Sequence, residues 1–238
     1  MTLPKLETAT YELTLPSTDV TIKYRPFLVK EEKILLQALE SGNEKEMVSA
    51  TKDIVTACTF GTVNVDDLPT FDIEYIFLNV RAKSVGEVST IKVLCPDDKT
   101  SYGTVDVDLT QVNVQVDDDH TNNILLDEEK KLGLIMKYPT INTADPTQNV
   151  KGMRTEQLFN IISRIIYQIY EGEKTYNASD YTEKELNEFI ESLTPDNFLK
   201  IQKFLNTMPR LRHEVEVENP NTKVKSKIVL EGLQNFFV

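Results

Sequence analysis

Side chains able to make or break bonds are scarce in this sequence. There are two histidines. His120 stands in the polar stretch "DDDHTNN", and His213 in a strand-like run of alternating charges. A general base must be held within hydrogen-bond reach of its proton, and a soft polar loop holds geometry poorly. Both histidines are therefore expected to be ordinary surface residues. The two cysteines, Cys58 and Cys95, read as free thiols of a reducing compartment. The segment "LCPDDKTSYG" looks like half a zinc knuckle, but a closed zinc site takes about four ligands, and no second cysteine lies near Cys95. The acidic run Asp117–Asp119 lacks the spacing and the glycine of an EF-hand loop. Neither a nucleophile elbow nor a phosphate-cradling loop occurs. With 38 acidic residues, carboxylate chemistry is the one enzymatic alternative: a hydrolase or transferase of unknown substrate. It requires two acidic side chains of perturbed pKa in one deep pocket. The expectation is no catalytic residue, no metal, no cofactor and no enzymatic activity.

The elements that would carry any site alternate between hairpins and helices. Residues 8–24 read as a hairpin around the turn formers Pro16–Asp19. "LVKEEKILLQALESGN" reads as a helix with Val29, Leu35, Leu36 and Leu39 at helical spacing and Gly42 as its C-cap. A second helix over 44–58 turns Met47, Ile54 and Val55 inward, and a third covers about 70–84 with Thr70 as N-cap. Two or three strands follow Gly86, a polar loop spans 117–123, and "NILLDEEKKLGLIMKYP" reads as strand–turn–strand. "TEQLFNIISRIIYQIYEG" reads as one apolar helix ending at Gly172. Thr182 with Glu185, and Thr194 with Pro195, mark two further helix starts. A last hairpin has Glu214, Glu216 and Glu218 on one strand and Lys223, Lys225 and Lys227 on the other, a pattern suited to cross-strand pairing. The fold class is α+β, antiparallel hairpins alternating with helical segments. The expected division is a mixed lobe over 1–138, a linker over 139–153, and a helical lobe over 154–238 that ends in a hairpin and an apolar tail.

At 238 residues the chain is long enough to bury a core. Its formal charge is −12. That argues against nucleic acid and against anionic membranes as partners, because both need a positive field. The first residues have no basic n-region followed by an apolar core, so no signal peptide is expected, and no apolar run approaches a membrane span.

Two stretches look over-specified for a plain scaffold. In "YIFLNVRAKSVGE" an apolar helix runs into a compact turn. Arg81 and Lys83 suit the helix C-terminus as dipole partners, while Val85 and Gly86 together with them form a candidate docking surface. In the tail, Leu230, Leu233, Phe236 and Phe237 are spaced for one face of a short helix. They serve either to tie the end down by docking on the helical half or to present an apolar patch to a partner.

"YRPFLVKEEKILLQALESGN", "FDIEYIFLNVRAKSVGE" and the ending "VLEGLQNFF" together resemble the baseplate hub and hub-assembly proteins of T4-like contractile-tailed bacteriophages. In that family the hairpin after the "RAKSVGE" turn carries further cysteines, where this chain has only Cys95. The resemblance implies a morphogenesis role in building the central hub of the tail baseplate. The implied partners are other baseplate or hub proteins. The implied location is the host cytoplasm during assembly, or the baseplate of the virion.

Overall fold

The computed structural model describes residues 7–143 and 155–236. Over these residues the chain is α+β, with six α-helices and eleven strands in small antiparallel sheets. It divides into two compact units. The first comprises residues 1–115 and 210–238, the second residues 116–209.

The first unit opens with the hairpin β1 (Tyr11–Thr14) and β2 (Thr21–Tyr24). The alternation read from the sequence is the one observed within the strands: Leu13, Ile22 and Tyr24 are buried, and Glu12, Thr14, Thr21 and Lys23 face solvent. Three helices follow: α1 (Val29–Ser41), α2 (Glu44–Cys58) and α3 (Thr70–Val85). Gly42 caps α1 in the left-handed region at φ 61°, its N–H donating to the Leu39 carbonyl, a conformation that glycine adopts without the penalty of a Cβ. The N-cap position of α3 is Pro69, one residue before the expected Thr70. Ile54, Val55 and Cys58 of α2 and Ile73, Ile76 and Phe77 of α3 are buried.

Next come the hairpin β3 (Val88–Leu94) and β4 (Tyr102–Asp108) and the short strand β5 (Asn113–Gln115). The hairpin β10 (Arg210–Glu218) and β11 (Lys225–Glu231) lies in the same unit, because β10 pairs with β5. Its carboxylates and lysines do pair, on the diagonal: Lys225 with Glu216 at 2.9 Å and Lys227 with Glu214 at 2.6 Å. Leu78, Ile91, Val107, Leu109, Val112, Leu211, Val215, Leu230 and Phe236 form the core beneath these strands.

The tips of the two hairpins are locked together. Asp97 accepts from both the Asn219 amide, at 2.9 and 3.1 Å, and the Thr222 hydroxyl, at 2.5 Å. Asn221 donates to the Ser101 hydroxyl at 2.8 Å. The segment resembling a zinc knuckle is thus a carboxylate-centred tip. Cys95 is buried there, and Asp97 is held below the usual carboxylate range by its Asn219 and Thr222 bonds. Close approach continues at Gly103. A Cβ there would lie 2.3 Å from Val217 Cγ2 and 3.0 Å from the Glu218 carbonyl oxygen. Gly103→Ala must push one hairpin off the other, and overpacking of this kind costs about 1–3 kcal/mol. Urea denaturation should show that loss; an unchanged midpoint would mean the hairpins separate freely.

The second unit is a four-stranded sheet in the order β6 (Asn123–Asp127), β7 (Leu132–Met136), β8 (Ile166–Glu171), β9 (Lys174–Asn177), with α4 (Thr155–Ile165), α5 (Glu183–Glu191) and α6 (Pro195–Thr207). One sheet face carries Ile124, Leu134 and Ile169 into a core with Ile162, Ile165, Leu186, Ile190, Ile201, Phe204 and Leu205. Thr182 and Glu185 form the expected capping box. Thr194 caps α6 with Pro195 in its first turn.

Two readings change. The run "TEQLFNIISRIIYQIYEG" is a helix only to Ile165, and Ile166–Glu171 is a strand paired on both edges. Its β-branched and aromatic residues fit a pleated surface as well as a helix face, and pairing with β7 and β9 decides. Gly172, at φ 60°, serves the β8–β9 turn and ends no helix. The units are also cut differently from the expected 1–138 and 154–238. β7 and β8, on either side of the expected linker, share one sheet, while the terminal hairpin shares a sheet with β5. Of the linker itself, residues 144–153 lie outside the described residues.

Candidate interaction surfaces

The turn after α3 is built on a fixed base. Ser84 Oγ accepts the Phe27 N–H at 2.9 Å and donates to the Val80 carbonyl at 2.5 Å, which ties the last turn of α3 to the segment entering α1. Lys83 pairs with Glu87 and lies 5.4 Å from the centre of the Tyr11 ring. The bond from Lys83 to Glu87 raises the lysine pKa, so this cation is spent within the chain. Arg81 is half-buried, and burial lowers its pKa. Gly86 sits at φ 144° and ψ 151°, a region essentially reserved for glycine. On either side of it Val85 is 62% and Val88 61% exposed. The expected group Arg81, Lys83, Val85 and Gly86 therefore resolves into one tethered lysine, one half-buried arginine and a bare apolar turn.

The tail residues lie elsewhere. Leu230 and Phe236 are buried in the first unit's own core, on strands and α3 rather than on the helical half, and Leu233 is half-buried beside them. They line no open surface. Residues 233–236 form a single 3-10 turn. Phe237 lies outside the described residues.

His120 is not the plain surface residue its loop suggested. Its ring hydrogen-bonds Thr207 Oγ1 and Tyr138 OH, both at 3.0 Å, and packs against the rings of Tyr138 and Phe204. Burial lowers its pKa below the ordinary 6.5. The unfolded chain then binds the proton more readily than the folded one, so His120 stabilises the second unit above its unfolded pKa and that stability is lost as pH falls through the folded value. Thermal unfolding of the second unit, followed by probes within it, should shift down between pH 7 and pH 5, and His120→Gln should flatten that slope. An equal slope in both proteins would remove His120 as its source.

Two clefts occur in the second unit. One, of about 480 Å³, is lined by Lys137, Arg164, Tyr167, Ser179 and Glu183 among others; the smaller, about 170 Å³, is lined by Asp119, Lys200 and Lys203 among others. Each contains a single carboxylate. The carboxyls raised most clearly by burial, Asp72 and Glu74, are on α3. There Asp72 accepts from Ser17 and Glu74 from the Leu233 N–H. Both hold chain segments in place. Among the described residues no three His, Cys, Asp or Glu side chains group as metal ligands. No helix there is long and apolar enough to cross a membrane.

The structure thus offers latched hairpins, a buried core and an exposed apolar turn on a fixed base. The family model described as "T4 bacteriophage base plate protein" matches residues 8–238. The chain belongs to that family, and its role is in the phage baseplate. No curated protein and no solved structure matches it.

Proposed function

We propose that the chain acts in assembling the central hub of the tail baseplate through protein–protein contacts and without catalysing a reaction, as an assembly chaperone or as a hub subunit. The observation that carries this reading is the apolar turn Val85–Val88 on a chain of the baseplate family: two exposed valines are held on a base of internal bonds and paired charges. Surfaces of this kind serve partners. The partners are other baseplate and hub proteins, met in the host cytoplasm during assembly. The test is co-purification with hub proteins at micromolar concentration, followed by mass spectrometry of mature particles. A complex is expected, weakened at least tenfold by Val85→Asp, whose side chain starts in solvent and leaves the fold intact. Presence in the particle identifies a hub subunit and absence a chaperone. No complex, or saturable turnover of a small molecule, would overturn the proposal.

A further inference from the structure

Helix α1 of the first unit carries a bare apolar face. Only Glu31 and Ala38 of this helix are buried, with Leu35 half-buried between them, so the helix commits a narrow stripe to the unit. At about 100° per residue, Val29, Leu36 and Leu39 fall together on a second stripe beside the first, within roughly 80° of arc. Val29 is 79%, Leu36 51% and Leu39 55% exposed, and Leu28 extends the stripe at the helix start with 40%. A helix normally turns its apolar residues to the core. This one has two apolar faces, one of them open.

The charge on the open face selects what covers it. Glu32 stands in the middle of the stripe by the same geometry, and among the described residues no cation pairs with it. Lys33, next to Glu32 in sequence, is turned about 100° round the helix from it, and Lys30 is 3.2 Å from Glu31 instead. An apolar contact closed over Glu32 would leave a carboxylate out of water and unpaired, which is costly. A second copy of the chain makes this worse. A twofold contact through the stripe brings the two Glu32 side chains together, or within about a helical turn of each other, between molecules that each carry −12.

We propose that the outer face of α1, formed by Val29, Leu36 and Leu39 around Glu32, docks an amphipathic helix of another baseplate protein whose apolar stripe carries one Lys or Arg to meet Glu32. The proposal rests on the reading of the chain as a contact protein of the baseplate and adds the chemistry of one partner. Helix-on-helix docking uses anchors at i, i+3, i+4 and i+7, and the added basic residue turns an otherwise generic apolar contact into a specific one.

The test places a benzoylphenylalanine photo-cross-linker at Leu36, and separately at Val85, in protein expressed during phage infection, with cross-linked peptides identified by mass spectrometry. The Leu36 probe should capture a peptide of another baseplate protein with helical apolar spacing and a Lys or Arg within it. Glu32→Lys in the same background should cut that adduct at least tenfold, with an unchanged far-UV spectrum and melting temperature. The inference is overturned if the Leu36 probe captures a second copy or another part of this chain. It is also overturned if the captured segment has no basic residue, if Glu32→Lys leaves the yield unchanged, or if only the Val85 probe captures a baseplate protein. In that last case the proposed function survives; if neither probe captures one, both fall.

Discussion

Arg25→Ala should cost about 3–5 kcal/mol of stability, the range for breaking a buried ion pair by removing one partner. Arg25 and Glu31 are both buried, and Arg25 Nη2 lies 2.9 Å from Glu31 Oε1. The guanidinium also donates to the Pro26 carbonyl at 2.9 Å, while Glu31 Oε2 accepts the Leu28 N–H at 2.8 Å, the backward half of a capping interaction. Strand β2, the turn into α1 and the first turn of α1 are thereby joined through two side chains. Removing Arg25 leaves the buried carboxylate with only the exposed Lys30, 3.2 Å away, and the Leu28 N–H. Removing Glu31 strands the guanidinium and uncaps the helix as well. The cost belongs to the orphaned partner, so the paired replacement Arg25→Met with Glu31→Leu should lose much less than the sum of the single losses. It still forfeits the cap on Leu28, worth about 1 kcal/mol. Chemical denaturation of the four proteins measures this coupling; strictly additive losses would show that the pair does not act as a unit. The pH dependence has a definite sign. Burial pushes the Glu31 carboxyl up, but the bonds from Arg25 and the Leu28 N–H outweigh it, and its pKa is lowered. Its contribution is therefore present above the unfolded value of about 4.5 and is lost as acid carries the pH down through the folded one.

The same pair shows where the sequence could be read and where it could not. Features fixed within a few residues were legible: Gly42 after α1, Thr182 with Glu185, Thr194 with Pro195, and the alternation of β1 and β2. These depend on local backbone bonds, and the residues making them are neighbours in the chain. Features settled by distant partners were not. Spacing alone marked Val29, Leu35, Leu36 and Leu39 as helix-face residues, yet only Leu35 of these lies on the inward stripe, beside Glu31, which is paired with the buried Arg25, and Ala38. The isoleucines of 161–169 satisfy helix and strand periods alike, and only pairing with β7 and β9 divides the run at Ile165. His120 looked solvated because its partners Tyr138, Phe204 and Thr207 are remote in sequence. The turn after α3 was legible as a place. That Lys83 is tethered by Glu87 and Tyr11 and Arg81 is half-buried, leaving Val85 and Val88 as the open part, needed the tertiary structure.

Phe236→Ala should rank beside Arg25→Ala, at about 3–5 kcal/mol, because the ring is fully buried and the site has little freedom to collapse. Around it are Leu78 of α3, Ile91 and Val107 of the second hairpin, and Leu211, Val215 and Leu230 of the last one. Three hydrogen bonds hold the approach: the Gly232 N–H to the Leu211 carbonyl at 3.0 Å, the Leu233 N–H to Glu74 Oε1 at 3.2 Å, and Ser89 Oγ to the Phe236 carbonyl at 3.3 Å. The segment after β11 is thus held by one aromatic ring with three polar contacts. Glu74 makes the tie depend on pH. Burial, against the opposing bond from Leu233, pushes its carboxyl up to about 7, with Glu231 adding to the rise and Arg210 reducing it. The folded unit holds this proton more tightly than the unfolded chain, so the contribution is complete below the unfolded value of about 4.5 and is lost as pH rises through about 7. Hydrogen exchange at residues 233–236, corrected for its intrinsic pH dependence, should therefore show stronger protection at pH 5 than at pH 8. Glu74→Gln, which keeps an acceptor for Leu233 without the charge, should level the two, whereas a pH difference that persists in Glu74→Gln would assign it to another group. Phe236→Ala should abolish protection at both pH values, and protection retained there would show that the hydrogen bonds hold the segment without the ring.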